Sequence, residues 1–159
     1  MRWNFLRAAM VGLVWCTAAQ AEVTLNVGYL SAFEAAPPTL SNLDPEPADI
    51  GLAGARTGLA DNATTGRFLG HSYDLTARML DEGDDPLAAA ADLLAQSPFL
   101  ILDAPSDVLM AIADLPQAQG AILFNAAAGD LALRSADCSG NLLHSIPSDA
   151  MRTDALAQF

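Results

Sequence analysis

Polar and small residues follow two short apolar runs near the middle of the chain. Phe99–Asp103 ends in a carboxylate, and Ser106 follows three residues later. Residues 120–125 end in Asn125, which is followed by three alanines and a glycine. If both runs are parallel strands, these side chains lie at the carboxyl edge of a sheet, where open parallel sheets bind ligands. This arrangement predicts recognition of a small solute at that edge.

The motifs of common catalytic and metal sites are not found in this sequence. It contains no G-x-S-x-G, P-loop, C-x-x-C or H-E-x-x-H pattern. His71 and His144 fall on separate predicted strands, where a lone histidine is more often structural than metal-binding. Residues 81–85 are acidic but lack the ligand spacing of a calcium loop, so we expect them to cap the next helix. We therefore expect no catalytic residue, metal or cofactor, and no enzyme activity.

The two apolar runs flank a segment with helical periodicity. Neither run alternates polar with apolar residues, which is typical of parallel strands covered on both faces. The helix is predicted over residues 107–115, with Ser106 or Asp107 as its N-cap. Its predicted buried stripe consists of Val108, Ile112 and Leu115. Because strand-helix-strand crossovers are right-handed, the two strands are predicted to be parallel.

Similar patterns extend over the rest of the chain. The other predicted elements are strands at 23–31, 71–80 (an edge strand) and 141–146, and helices at 49–62, 86–96 and 149–159. Gly66 is predicted to end the first helix in a left-handed conformation. Gly51, Gly54 and Gly58 recur inside that helix, which predicts close packing of the helix on the sheet. The predicted fold class is α/β: an open parallel sheet with helices on both faces.

The first 21 residues resemble a targeting segment rather than part of the fold. Arg2 and Arg7 precede an apolar stretch, and residues 19–21 form an A-x-A cleavage pattern. This organisation predicts a secretory signal peptide at 1–21, with the exported chain starting at Glu22 and not inserted in the membrane. Cys138 is then the single remaining cysteine, so no internal disulfide is expected.

The chain is strongly acidic. It carries 19 acidic residues and seven basic ones, for a formal net charge of -12, and it contains no lysine. Such a surface is a poor partner for nucleic acid or for an anionic membrane. Like-charge repulsion that keeps the protein soluble is the simplest explanation.

Several segments resemble known proteins. Residues 51–70 are similar to the first helix and following turn of type I periplasmic solute-binding proteins of the branched-chain amino acid kind. Residues 37–40, 61–70 and 137–147 resemble a subfamily of these ABC-transporter proteins, associated with pyrroloquinoline-quinone (PQQ)-dependent alcohol dehydrogenase systems. The resemblance extends over residues 22–159.

The resemblance implies a two-lobed protein that holds its ligand between the lobes. Residues 22–147 would form the N-terminal lobe, with strand order 2-1-3-4-5. Residues 148–159 would be the first helix of the crossover to a second lobe, which this sequence lacks. We therefore expect this sequence to be the front part of a longer protein.

The resemblance also implies that ligand contacts come from the loops after the first, third and fourth strands. The corresponding residues are Tyr29, Ser31, Asp103, Ser106, Asn125, Ala127 and Ala128. Residues 126–128 lack the hydroxyl that amino acid binders usually place there. Three alanines would instead leave space and free backbone N–H groups for a different small solute.

The expected function is therefore that of a periplasmic ABC-transporter substrate-binding protein, linked to alcohol oxidation. Its partners would be a small-molecule ligand and the permease in the inner membrane. The alternative is a periplasmic sensor or interaction protein that signals to a membrane partner without transport.

Overall fold

A computed structural model describes residues 22–35 and 47–158. The predicted signal peptide and most of the proline-rich stretch after the first strand lie outside these residues. The main elements are β1 (Val23–Ser31), α1 (Ile50–Gly66), β2 (His71–Met79), α2 (Pro86–Leu94), β3 (Phe99–Asp103), α3 (Ser106–Ala113), β4 (Ile122–Asn125), β5 (Leu142–His144) and α4 (Asp149–Ala157). Among the described helices, none is long and apolar enough to cross a bilayer.

The five strands form one parallel sheet in the order β2-β1-β3-β4-β5. This confirms the predicted α/β class and the strand order, and it places β2 at an edge, as predicted. The β1–β2 register pairs Val23 with His71 and Ser31 with Met79. All carboxyl ends of the strands therefore lie along one edge of the sheet.

One face of the sheet carries the core. Leu30, Leu100, Leu102 and Leu123 alternate along three strands and are each 0% exposed. They pack with α2 and α3, which contribute Leu93, Leu109 and Ile112. Fully burying a leucine stabilises a fold by roughly 1.5–3 kcal/mol, so this layer dominates the stability of the sheet.

The opposite face is covered in part. Helix α1 packs over β2 and β1, while Phe99, Ile101 and Phe124 on β3 and β4 are only partly buried. They line an apolar groove of about 400 Å³. For the described residues, the prediction that both central strands are covered on both faces is wrong. An unbroken apolar run indicates that both faces of a strand are apolar, but it does not specify what packs against each face.

Two predicted helix caps are confirmed and one is wrong. Asp85 Oδ1 accepts from Leu87 N at 2.9 Å at the start of α2, and Ser148 Oγ accepts from Met151 N at 3.2 Å at the start of α4. At α3 the N-cap position is Pro105, with no capping side chain. Ser106 is already helical, and its hydroxyl donates to Asp130.

Helix α1 ends at Gly66, as predicted, but the left-handed conformation predicted for that residue is wrong. Gly66 is helical, with φ of -55°, and the left-handed residue is Gly70, with φ of 73°. A Cβ on Gly66 would lie 2.7 Å from Tyr73 Cε2. Gly66 is therefore required for close packing, whereas Gly70 provides the left-handed turn.

The buried stripe of α3 is shifted from the predicted one. Leu109 and Ile112 are fully buried, while Val108 and Leu115 are partly buried against the margin of the core. The helix ends at Ala113. Leu115 therefore lies beyond the helix, and the sequence spacing places it on a turn that does not form.

Candidate functional site

The strand order reverses its direction at β1, which lies between β2 and β3. The chain leaves β1 towards β2 on one side and leaves β3 towards β4 on the other. Ser31 and Asp103, the last residues of β1 and β3, are Cα partners across this point. A crevice between diverging loops at such a point is the general ligand site of open α/β sheets.

Tyr29 and Asp103 form a hydrogen-bonded pair beneath this crevice. Tyr29 is 2% exposed, and its hydroxyl donates to Asp103 Oδ2 at 2.8 Å. Burial raises the pKa of Tyr29 above its ordinary value; the hydrogen bond and the negative charge of Asp103 raise it further, and Ser31 opposes the rise. The hydroxyl therefore remains a proton donor and fixes one oxygen of the carboxylate.

Gly51 allows the first turn of α1 to cover this pair. A Cβ on Gly51 would lie 2.5 Å from Tyr29 Oη and 2.6 Å from Asp103 Oδ2. The predicted close packing of the helix glycines is confirmed here. It is wrong for Gly54 and Gly58, where an added Cβ would meet no packed neighbour within 4 Å. The spacing puts all three glycines near one face of the helix, and what separates Gly51 is its position in the first turn, over Tyr29 and Asp103.

A cavity of about 620 Å³ opens beside Ser31, between the carboxyl ends of β1 and β2 and the start of α1. Its volume is in the range of small-molecule sites. Phe33, Ile50 and Met79 supply apolar walls. Glu34 and Asp81 are the charged residues of the described lining, which includes no cationic side chain.

Asn125 organises a second group of predicted residues. It is 0% exposed, and its Oδ1 accepts from Ala127 N at 3.1 Å and from Ala128 N at 2.9 Å. Its Nδ2 donates to Ala128 O at 2.8 Å and lies 3.0 Å from His144 Nδ1. One buried amide therefore holds the loop after β4 closed on itself.

The expectation of free backbone N–H groups in this loop is wrong. Ala126 N donates to Leu102 O at 2.9 Å, and the next two N–H groups are bonded to Asn125. Ala128 is also buried, at 8% exposure. The three alanines have no hydroxyl to offer a ligand. The N–H groups of Ala127 and Ala128 are bonded to the Asn125 side chain and are not left for a ligand.

Ser106 belongs to a third contact. Its hydroxyl donates to the Asp130 carboxylate, which joins the start of α3 to the loop after β4. Asp130 is exposed and is not among the predicted site residues. No short-range pattern connects two residues that are 24 positions apart.

The predicted residues therefore share an edge of the sheet but do not form one cluster. Tyr29, Ser31 and Asp103 lie together, whereas Asn125 pairs in register with Leu102 and faces the core side. Because alternate residues of a strand point to opposite faces, Asp103 and Asn125 are directed away from each other. Of the first three, Ser31 lines the cavity of about 620 Å³, and Asp103 is its Cα partner across the switch point.

The described part of the chain offers no metal site. It contains no group of three or more histidine, cysteine or acidic side chains that could hold an ion. Cys138 is exposed and free.

No protein-family model, curated protein or solved structure matches this chain.

Proposed function

We propose that this chain is the substrate-binding component of an ABC transporter, exported through the segment at 1–21, which binds a small solute in the periplasm. The observation that carries the proposal is the Ser31–Asp103 pair at the topological switch point, next to a cavity of about 620 Å³. The link to PQQ-dependent alcohol oxidation, and to a permease in the inner membrane, rests on the sequence resemblance.

The polarity of the edge favours a neutral or cationic solute over an anion. Asp103 lies at the crevice, and Glu34 and Asp81 line the adjacent cavity. The Tyr29 hydroxyl already donates its hydrogen to Asp103 and is not free to donate to an anionic ligand. A carboxylate ligand would meet negative charge on both sides, whereas alcohols and amines can donate to these oxygens.

The proposal is tested by thermal shift and calorimetry with a panel of short alcohols, amines, carboxylic acids and amino acids. A ligand present at 100 times its Kd stabilises the folded chain by about 2.7 kcal/mol, which gives a clear rise in Tm. We expect alcohols or amines to raise Tm and carboxylic acids to have no effect.

Two aspartate variants separate site binding from general charge effects. Asp103→Asn changes the crevice, while Asp92→Asn removes an exposed carboxylate from α2, outside the cavity lining. We expect Asp103→Asn to weaken binding at least tenfold and Asp92→Asn to leave it unchanged. If no solute in the panel shifts Tm, or if both variants behave alike, the proposal is wrong.

A further inference from the structure

The orientation of the Asn125 side chain is determined by the backbone around it. Its oxygen accepts from two N–H groups, of Ala127 and Ala128, and its nitrogen donates to the Ala128 carbonyl. Exchanging oxygen and nitrogen would place an NH₂ group against two N–H donors and an oxygen against a carbonyl. The amide therefore has one acceptable orientation.

This orientation defines the state of His144. The second hydrogen of Asn125 Nδ2 points to His144 Nδ1 at 3.0 Å. Since Nδ2 is only a donor, Nδ1 must be an acceptor and the ring proton must reside on Nε2. The folded loop thus selects neutral His144 in the Nε2–H tautomer.

We propose that His144 and Asn125 form a pH-sensitive latch that holds the loop after β4. A protonated imidazole carries hydrogen on both nitrogens, so Nδ1–H would face the NH₂ group of Asn125 and the hydrogen bond between them would be lost. Asn125 is 0% exposed, so the hydrogen freed on its NH₂ group would be left without a partner. Protonation of His144 therefore loosens residues 126–129.

Charged neighbours do not compensate for this loss. Strand β4, which packs against β5, contributes no ionisable side chain. No carboxylate oxygen among the described residues is within ion-pair distance of His144. The charged side chains of the flanking segments make other contacts: the Arg134 guanidinium donates to Ile146 O, and the Asp149 carboxylate pairs with Arg152 at 3.6 Å.

The latch acts on the edge at which the chain is proposed to bind its solute, but it does not depend on that proposal. Ser145 N and Oγ both donate to Asn125 O, at 3.0 Å and 2.8 Å. Asp149 N donates to Gly129 O at 2.8 Å and ties the same loop to α4. Loosening this loop therefore affects the end of β5 and the start of α4 together.

The test is NMR of the purified full chain between pH 8 and pH 5, the range in which histidine changes charge. We expect the ¹⁵N shifts of His144 at the upper end to be those of an Nε2–H tautomer. As the ring protonates, the hydrogen-exchange protection factors of Ala127 and Ala128 should fall roughly tenfold, the factor expected for one lost hydrogen bond.

Two variants isolate the latch. His144→Asn places an amide oxygen where Nδ1 was, so it keeps the acceptor and cannot titrate; protection should then be high and constant across the range. His71→Asn removes the other histidine of the chain, on the far edge strand β2, and should retain the wild-type response. The proposal is wrong if His144 is the Nδ1–H tautomer, or if His144→Asn loses protection as the wild type does.

Discussion

At the scale of single residues, the contact between α1 and the Tyr29–Asp103 pair depends on the absence of a side chain at Gly51. An alanine there would place its Cβ 2.5 Å from Tyr29 Oη. Overpacking of this kind costs about 1–3 kcal/mol. We expect Gly51→Ala to lower the free energy of unfolding by an amount in that range, measured by urea denaturation.

Gly54 in the same helix is the matched control. A Cβ added there would meet no packed neighbour within 4 Å, and alanine is favoured over glycine in a helix by about 1 kcal/mol. Gly54→Ala should therefore raise the free energy of unfolding by up to that amount. Equal effects of the two substitutions would show that α1 does not approach the pair as described.

Tyr29 makes the stability of the chain sensitive to alkaline pH. Its pKa is raised in the folded state, chiefly by burial, whereas an unfolded tyrosine ionises near pH 10. The stabilisation is fully present below about pH 10 and is lost as the pH rises towards the folded pKa, at up to about 1.4 kcal/mol per pH unit.

Tyr29→Phe tests this linkage. At pH 7 the substitution should cost about 1.5–3 kcal/mol, because a hydrogen bond to a carboxylate is lost. Above pH 10 the variant should lose stability less steeply than the wild type, as followed by urea denaturation at several pH values. Parallel curves for the two proteins would contradict the raised pKa.

At the scale of elements, the two faces of β3 make unequal contributions. Leu102 is 0% exposed between the sheet and the helices, while Ile101 lines the apolar groove on the other face. Leu102→Ala should lower the free energy of unfolding by about 2–5 kcal/mol. Ile101→Ala should lower it by clearly less, because truncating a side chain that faces an open groove creates a smaller internal cavity. Comparable losses would show that the groove is covered in solution.

Local patterns predict most of these elements because each depends on residues close in sequence. The strand Phe99–Asp103, the aspartate cap of α2 and the serine cap of α4 all follow from such patterns. The groove and the Ser106–Asp130 bond do not, because each joins segments that only the folded sheet brings together. The position of Asn125 after a strand predicts a ligand residue, and its actual role is to satisfy the backbone of its own loop.

At the scale of the whole molecule, charge is the dominant feature. The formal net charge is -12, and in the described residues one ion pair forms, between exposed Arg152 and Asp149 at 3.6 Å. Repulsion among carboxylates is stronger in the compact state than in the expanded unfolded chain. The folded protein is thus destabilised by its own charge at low ionic strength.

Added salt should therefore stabilise this protein. The Debye length falls from about 30 Å at 0.01 M salt to about 8 Å at 0.15 M, which removes most repulsion between distant surface charges. Since a surface ion pair contributes only about 0–1 kcal/mol, screening the Arg152–Asp149 pair costs little by comparison. We expect Tm to rise by several degrees between these two concentrations of NaCl, and equally in KCl, as measured by calorimetry. A Tm that is unchanged or lower at 0.15 M would mean that carboxylate repulsion does not limit the stability of the fold.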